Sequence, residues 1–589
     1  MAPGQPRGAA HLYLRPGEGA RRAEHVRTHP RPPGAVRMSA PTILGPDGSP
    51  MVRPAPVPAP RVRSAPPAAP RTAMTSFAGA SHTDSDLALW EPTHASGASA
   101  LFGERDTLVA RVHDLARNDG WASGGITRQV DAIIGAGWRL SAKPNARSLG
   151  LRTATGAIDY DAADEFGSDI EAAWRDYVED PDCWCDVGRR FTMGGLLALA
   201  FRHRIMDGEA LAALLWRPRG GPFATAVQII DPDRLSNPSN GFEQKYLRQG
   251  VELDGDFAPV AYHIRVSHPG DLYLGTDPWR WERVPRETSF GRRVMVHAYE
   301  PERADQIRGT PLLAPVIKKL KMLGRYDEAE LQAAVLNAIL AAFIESPYDH
   351  DQVASLMSDG DAAEELSAYQ RMRLGFHEAA PLKLGGVKLN FLSPGEKVSL
   401  TNPNHPNQVF EHFTRASLRN VASAMGMTYE QLSMDWGQVN YSSARAALLE
   451  VWRGFTARKE HFAAQFMQPI YAAWLEEALD RGIVRAPKGA PPFRAKKAAY
   501  CAAKWIGPAR GWVDPLKEAS AAIERLDAGM STREREAAEQ GSDWQEDAQQ
   551  QARERRYLQA LGIDPDAEEG RGRKARRRAA REDKDDEGR

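Results

Sequence analysis

Between residues 106 and 137 apolar side chains recur at spacings of three and four: Leu108, Val112 and Leu115, then Ile126, Val130, Ile133 and Ile134. That period predicts helix, and Gly135-Ala-Gly137 predicts where it stops. Two further helices are expected over about 170–178 and 192–204. The pattern then changes: 210–216, 226–230, 250–253 and 260–266 read as strands, the last two joined through the turn signal Asp254-Gly255. Residues 76–309 are therefore expected to be α+β.

Helix dominates the second half. Thr310-Pro311 offers an N-cap with proline at the first helical position. Leu312, Val316, Leu320, Leu323, Leu331, Val335, Ile339 and Phe343 then form one stripe. A helix over 310–346 would be roughly 50 Å long at about 1.5 Å per residue. A Gly- and Pro-rich stretch occupies 347–407, and a shorter helix, 408–425, closes at Gly426. Residues 426–440 are expected to be a partly exposed loop carrying Tyr429, Met434 and Trp436, with Gln431 and Ser433 outside any apolar stripe. From 441 to 479 a long stripe resumes, with Gly454 and Pro469 predicting kinks.

Composition narrows the class. A chain of 589 residues exceeds one compact core, and 42% hydrophobic with 26% charged residues excludes a largely disordered protein. Lys+Arg 76 against Asp+Glu 77 argues against a general nucleic-acid coat and leaves room for local basic patches. Three cysteines make no disulfide framework. No apolar run approaches the roughly 18 residues of a membrane span, and the N-terminus lacks the apolar stretch of a secretory signal. The first 75 residues hold 16 prolines, 11 arginines, no lysine and only Glu18, Glu24 and Asp47 in opposition, a local charge of +8. A disordered arm is expected there, with Met38, Met51 and Met74 as candidate starts. Residues 562–589 read as a charged tail.

Phosphate-cradling and nucleophile-elbow motifs are absent from the sequence. His377-Glu378-Ala-Ala-Pro381 begins like a zincin helix, but proline replaces the second ligand. Cys183-Trp184-Cys185 has no partner pair and reads as two free thiols. His203, Asp207 and Glu209 are the best candidate metal constellation, for a metal-dependent phosphodiesterase acting on DNA, although Asp207-Gly208 reads first as a helix end turning into a strand. Arg415 and Arg419 share a helix face behind Glu411, either as solvated pairs or as contacts to a phosphate backbone.

Several phrases, in order, resemble the lambda-type family of tailed-phage portal proteins. They begin with Ala116-Arg-Asn-Asp-Gly-Trp121, Gly135-Ala-Gly-Trp-Arg-Leu140 and Asp207-Gly-Glu209. Gln228–Leu235, Gly250–Asp254 with Ala261-Tyr262, and Gln306-Ile-Arg-Gly-Thr-Pro311 come next. The most specific is Asn440-Tyr441-Ser442-Ser443-Ala-Arg445, and Trp505 with Val513–Ala519 looks like the family's C-terminal signature. The matches run over roughly 77–545.

The resemblance implies a mostly α-helical α+β portal-type fold assembled as a ring of twelve. In it an arm (1–75) precedes an α+β wing (76–309), a first stem helix (310–346), a clip (347–407) and a second stem helix (408–425). A channel loop (426–440), a long wing helix and connection (441–513), a crown (514–561) and the tail (562–589) complete it. Arg415, Arg419, Tyr429, Gln431 and Ser433 become candidate DNA-channel residues. Implied partners are double-stranded DNA without sequence specificity, terminase, a major capsid or scaffold protein and a head-tail connector. The implied location is the virion's portal vertex after assembly in the host cytoplasm, with no membrane. Neither enzymatic activity, cofactor nor metal is implied.

Overall fold

The computed structural model describes residues 78–343, 382–384, 387–389 and 410–563, apart from 83, 272, 438 and 511–513. The expectations for the arm, for most of the clip with His377, and for 564–589 lie outside these residues. The chain divides after His94. Of the first unit a 3-10 turn, Ala78–Ala80, is described; the remaining helices and strands belong to the second unit.

The strands are β1 (Arg139–Ala142), β2 (Glu209–Trp216), β3 (Thr225–Ile230), β4 (Leu247–Arg248), β5 (Val251–Leu253) and β6 (Pro259–Arg265). After them come β7 (Trp281–Pro285), β8 (Met295–Tyr299), β9 (Leu382–Leu384), β10 (Val387–Leu389) and β11 (Ala503–Ile506). One antiparallel sheet runs β3-β2-β8 and another β4-β5-β6-β7. β2 is buried on both faces, because the first sheet separates two cores. Ala210, Ala212 and Leu214 join the larger core, while Leu211 and Ala213 face the smaller one beside Val251, Tyr262 and Ile264. A strand covered on both sides reads as a continuous apolar run, which is why it was legible.

The predicted helix over 106–137 is two helices, Arg105–Asn118 and Gly120–Ile133. Asp119 leaves helical geometry, and its carboxylate accepts from Ala122 N–H at 2.8 Å, capping the second helix. The helix expected at 170 begins earlier, as Tyr160–Val178, behind the Asp159 cap. Its Trp174 anchors the larger core, with ring centroids 5.0 Å from Trp474, 5.6 Å from Tyr471 and 5.9 Å from Trp505. Edge-on packing at these distances adds to area burial.

Thr310 does not cap the helix expected over 310–346. A 3-10 turn at Ala314–Val316 intervenes and the α-helix is Ile317–Phe343. Pro315 explains this: it has no N–H to donate to the Pro311 carbonyl, so it fits only a first turn. The helix's described part, 27 residues, is about 40 Å long. Leu320 and Leu323 are buried, whereas Leu331 and Val335, on the same predicted stripe, are exposed. The helix expected over 408–425 is described as Phe410–Met425.

The long C-terminal helix does not break at Gly454. It runs Tyr441–Phe462, passes through a π-helical stretch at Ala463–Met467, and resumes as Gln468–Asp480. Pro469 lacks an N–H to donate, so a local shift of the hydrogen-bond ladder just before it is the natural accommodation. The predicted crown is three helices, Pro515–Asp527, Arg533–Glu539 and Trp544–Ala560. No helix among the described residues is long and apolar enough to cross a membrane.

Candidate functional site

The segment expected to be an open channel loop contains a helix, Tyr429–Ser433. Thr428 Oγ1 accepts from Gln431 N–H at 3.1 Å, and Gln431 Oε1 accepts from Thr428 N–H at 3.1 Å, a reciprocal capping box. Leu432, the next residue, is fully buried. Ser433 Oγ accepts from Asp435 N–H at 3.2 Å. Gln431 and Ser433 thus serve the local backbone, which corrects the view of them as free loop positions. Thr428 with a Gln three residues on was the sequence signal.

Arg415, Arg419 and Tyr429 do come together. Both guanidinium carbons lie 5.8 Å from the Tyr429 ring centroid, within cation–π range. Arg415 is neutralised, with Glu411 at 2.7 Å and Asp435 at 3.8 Å. Arg419 is exposed and has no carboxylate at pairing distance among the described residues. At the base of this cluster Gly426 takes φ +68°, ending the Phe410–Met425 helix. Gln129 Nε2 and Arg458 Nη1, the latter at 2.9 Å, donate to the Met425 carbonyl. A cation at a helix C-terminus is favourable for the helix dipole.

Asn440 caps the next helix, accepting from Ser443 N–H at 2.9 Å, with Ser442 and Ser443 exposed in its first turn. Arg445 reaches Glu518 at 4.0 Å. Tyr441 contributes the first helical residue.

His203, Asp207 and Glu209 lie side by side but do not form one ligand set. Buried Asp207 is held between two histidines: His203 Nδ1 and His113 Nε2 donate to its two oxygens, each at 2.5 Å. Burial pushes the Asp207 carboxyl up, but the two histidine bonds outweigh it and leave the carboxyl below its ordinary range. His113 is raised by its bond to Asp207; His203 is raised too, that bond overcoming burial. Glu209, also fully buried, faces Arg105 at 2.8 Å, His297 at 2.9 Å, the Gly309 N–H at 3.2 Å and the Arg308 fork. Burial opposes its charge, yet the arginines hold it well below the carboxylate range.

All four oxygens already accept from the protein, and two arginines stand where a cation would have to bind. The geometry is a buried ionic lock, not a metal centre. It ties the Arg105–Asn118 and Met193–Met206 helices, β2 and β8 to the chain leading into the long helix. Gly208, at φ +84°, and Gly309 cross so closely that a Cβ on Gly309 would strike the Gly208 carbonyl. His113, Arg105, His297 and Arg308 were not foreseen, because their pairing spans up to about a hundred residues. A looser group, Asp231, Asp233 and His268, has ligand atoms within 4.8 Å of one another. Arg105 lies 3.8 Å from Asp233 and opposes a cation there too. Cys185 is buried and its thiol is pushed up to about 12 by burial, which makes it inert.

Comparison with known proteins places these features. The chain is 32% identical to portal protein B of Escherichia phage lambda over 90% of its own length and 94% of that protein's. It is 31% identical to the portal protein of Escherichia phage N15 over 90% and 96%. A probable portal protein of Halomonas phage phiHAP-1 is 24% identical over 73% and 77%. Among solved structures, the neck of an empty GTA particle computed with C6 symmetry gives a TM-score of 0.34 at 14% identity, covering 62% of this chain and 82% of that one. Residues 83–459 match the family described as phage portal protein, lambda family. The span takes in the buried lock, the Ile317–Phe343 and Phe410–Met425 helices and the capped segment after them, and the chain belongs to the lambda family of phage portal proteins.

Proposed function

We propose that the chain is the subunit of a twelve-membered portal ring at one capsid vertex, through which double-stranded DNA is packaged and ejected. The near full-length likeness to lambda and N15 portal proteins carries this reading. The helices support it: Met322, Leu331 and Phe413 stand exposed on Ile317–Phe343 and Phe410–Met425. A closed ring covers such side chains on every copy without leaving an open end. Residues 76–309 then form the wing, 310–346 and 408–425 the stem, and 347–407 the clip. The channel segment is 426–440, the long wing helix and its connection 441–513, the crown 514–561, and the tail 562–589.

A conduit must not clamp its cargo, and each phosphate neutralised by a fixed cation adds affinity. Pairing Arg415 with Glu411 and Asp435 while leaving Arg419 exposed suits a channel that orients DNA weakly and without sequence preference. The chain itself turns over no substrate; a terminase supplies the energy of packaging, and a capsid or scaffold protein and a head-tail connector dock on the ring. The ring assembles in the host cytoplasm and remains in the virion. Purified protein is expected as closed rings of roughly 780 kDa, twelve copies of the 64.8 kDa chain. Native mass measurement and particle images that gave only monomers or open filaments would overturn the reading.

A further inference from the structure

Four segments meet at the hairpin end of β2 and β3. Arg219, in the connecting loop, donates to the Val187 carbonyl at 2.9 Å and the Asp186 carbonyl at 3.3 Å. Arg481 donates to the Pro222 carbonyl at 2.9 Å, and Arg292 to Thr225 Oγ1 at 2.6 Å. Arginines here lie over aromatic rings. Arg189 sits 3.8 Å from the Trp184 centroid, and Arg292 and Arg481 lie 4.9 and 5.5 Å from that of Trp216. Arg494 lies 4.6 Å from the ring of Phe290. Trp216 and Phe290 are about half exposed, at 48% and 51%.

The acids nearby are already engaged. Asp186 accepts from the backbone N–H groups of Gly188, Arg190 and Phe191. Asp182 pairs with Arg189, buried Glu477 with Arg481, and Glu476 with Arg494. Arg190, Arg217 and Arg219 have no carboxylate at pairing distance among the described residues. Partial burial and then the charges of Arg189 and Arg217 depress Arg219, a sign that these cations crowd one another.

We propose that this arginine–tryptophan patch is a second duplex-DNA contact surface, sharing no residue with the channel candidates and binding the phosphate backbone. Only the choice of DNA as the polyanion rests on the portal reading. Arg190, steadied 5.5 Å from the Phe191 ring centroid, and Arg217 carry planar guanidinium groups whose N–H edges are not spent on a carboxylate, the geometry that suits phosphate oxygens. Duplex DNA carries a charge about every 1.7 Å, dense enough to answer several crowded cations together. An acidic protein segment is the competing occupant; it would have to cluster carboxylates to the same density.

Arg190 and Arg217 make no side-chain hydrogen bond or ion pair within the described residues; Arg190 lies 5.5 Å from the Phe191 ring centroid, so changing the pair breaks that ring contact and no ion pair. The test measures binding of a labelled 30-base-pair duplex by assembled full-length protein across a salt series. The double variant Arg190→Glu/Arg217→Glu, and separately Arg190→Gln/Arg217→Gln, are compared with Arg419→Glu. Both double variants are expected to assemble normally and weaken duplex binding, the glutamates by at least about tenfold. The salt slope should become shallower by about one for each phosphate that is no longer neutralised. Unchanged duplex binding in both double variants, or none by the intact protein at low salt, would overturn the proposal. Loss of binding to a poly-glutamate probe alone would overturn it in favour of an acidic protein partner. Dependence on Arg419 alone would overturn it while leaving the conduit reading intact.

Discussion

Glu171 lies where the Tyr160–Val178 helix, β1 and the cap of the Trp544–Ala560 helix meet. Burial pushes its carboxyl up to about 7, the Ala142 N–H bond at 2.7 Å opposes that, and Asp543 adds to it, against Lys143 and Arg175. Asp543 itself accepts from Ser141 Oγ at 2.9 Å, and Arg139 and Arg175 reach Glu546 beside it. A carboxyl raised in the folded state binds its proton more tightly there than when unfolded. Its burden on stability is therefore absent near pH 4.5, grows as pH rises toward 7 and is complete above it. Glu171→Gln is expected to raise the melting temperature at pH 8 and change it little at pH 5. At a partly open site the gain should be on the order of 1–2 kcal/mol. Equal melting shifts at both pH values, or a loss at pH 8, would refute this. None of it was legible in the sequence: Glu171 and Asp543 are separated by most of the chain.

At the scale of elements, sequence pattern succeeded where one local rule governed and failed where two competed. β2 was visible because burial on both faces leaves an unbroken apolar run. The Asp119 break was missed because the apolar period continues almost in phase across it. The start of the long helix was misplaced because Thr310-Pro311 looks like a cap, while Pro315 imposed the later start. The Tyr429–Ser433 helix was missed because five residues carry too little period. Its capping box now changes what a substitution there would do. Gln431→Ala should lower stability by about 1 kcal/mol through loss of the cap. Leu432→Ala should lower it by about 2–4 kcal/mol, since a fully buried side chain is truncated. Ser433→Arg should have the smallest effect of the three. Urea unfolding midpoints order them, and the idea fails if Gln431→Ala is as mild as Ser433→Arg. A positive charge meant to probe DNA passage therefore belongs at position 433; at 431 it would confound charge with folding.

For the whole molecule, family and helical architecture were legible from dispersed phrases, yet those phrases proved to be largely structural. Asn440 is a helix cap, Asp207 and Glu209 are the acids of the buried lock, and Gly309 crosses Gly208. The candidate channel residues were partly legible, since Arg415, Arg419 and Tyr429 do converge; the arginine–tryptophan patch was not, because it gathers residues from four distant segments. The pairing hardest to foresee is that of β1 with β11, Arg139 opposite Ile506 and Ala142 opposite Ala503. Its closure must await nearly the whole chain, and contacts of such separation form late. On the ribosome, β1 waits as an unpaired edge until residues 503–506 have emerged. A nascent chain halted before that point cannot close this sheet, so truncated products should sediment as unassembled or aggregated species. Translation itself thereby becomes a checkpoint, since an unfinished chain lacks the strand that closes β1.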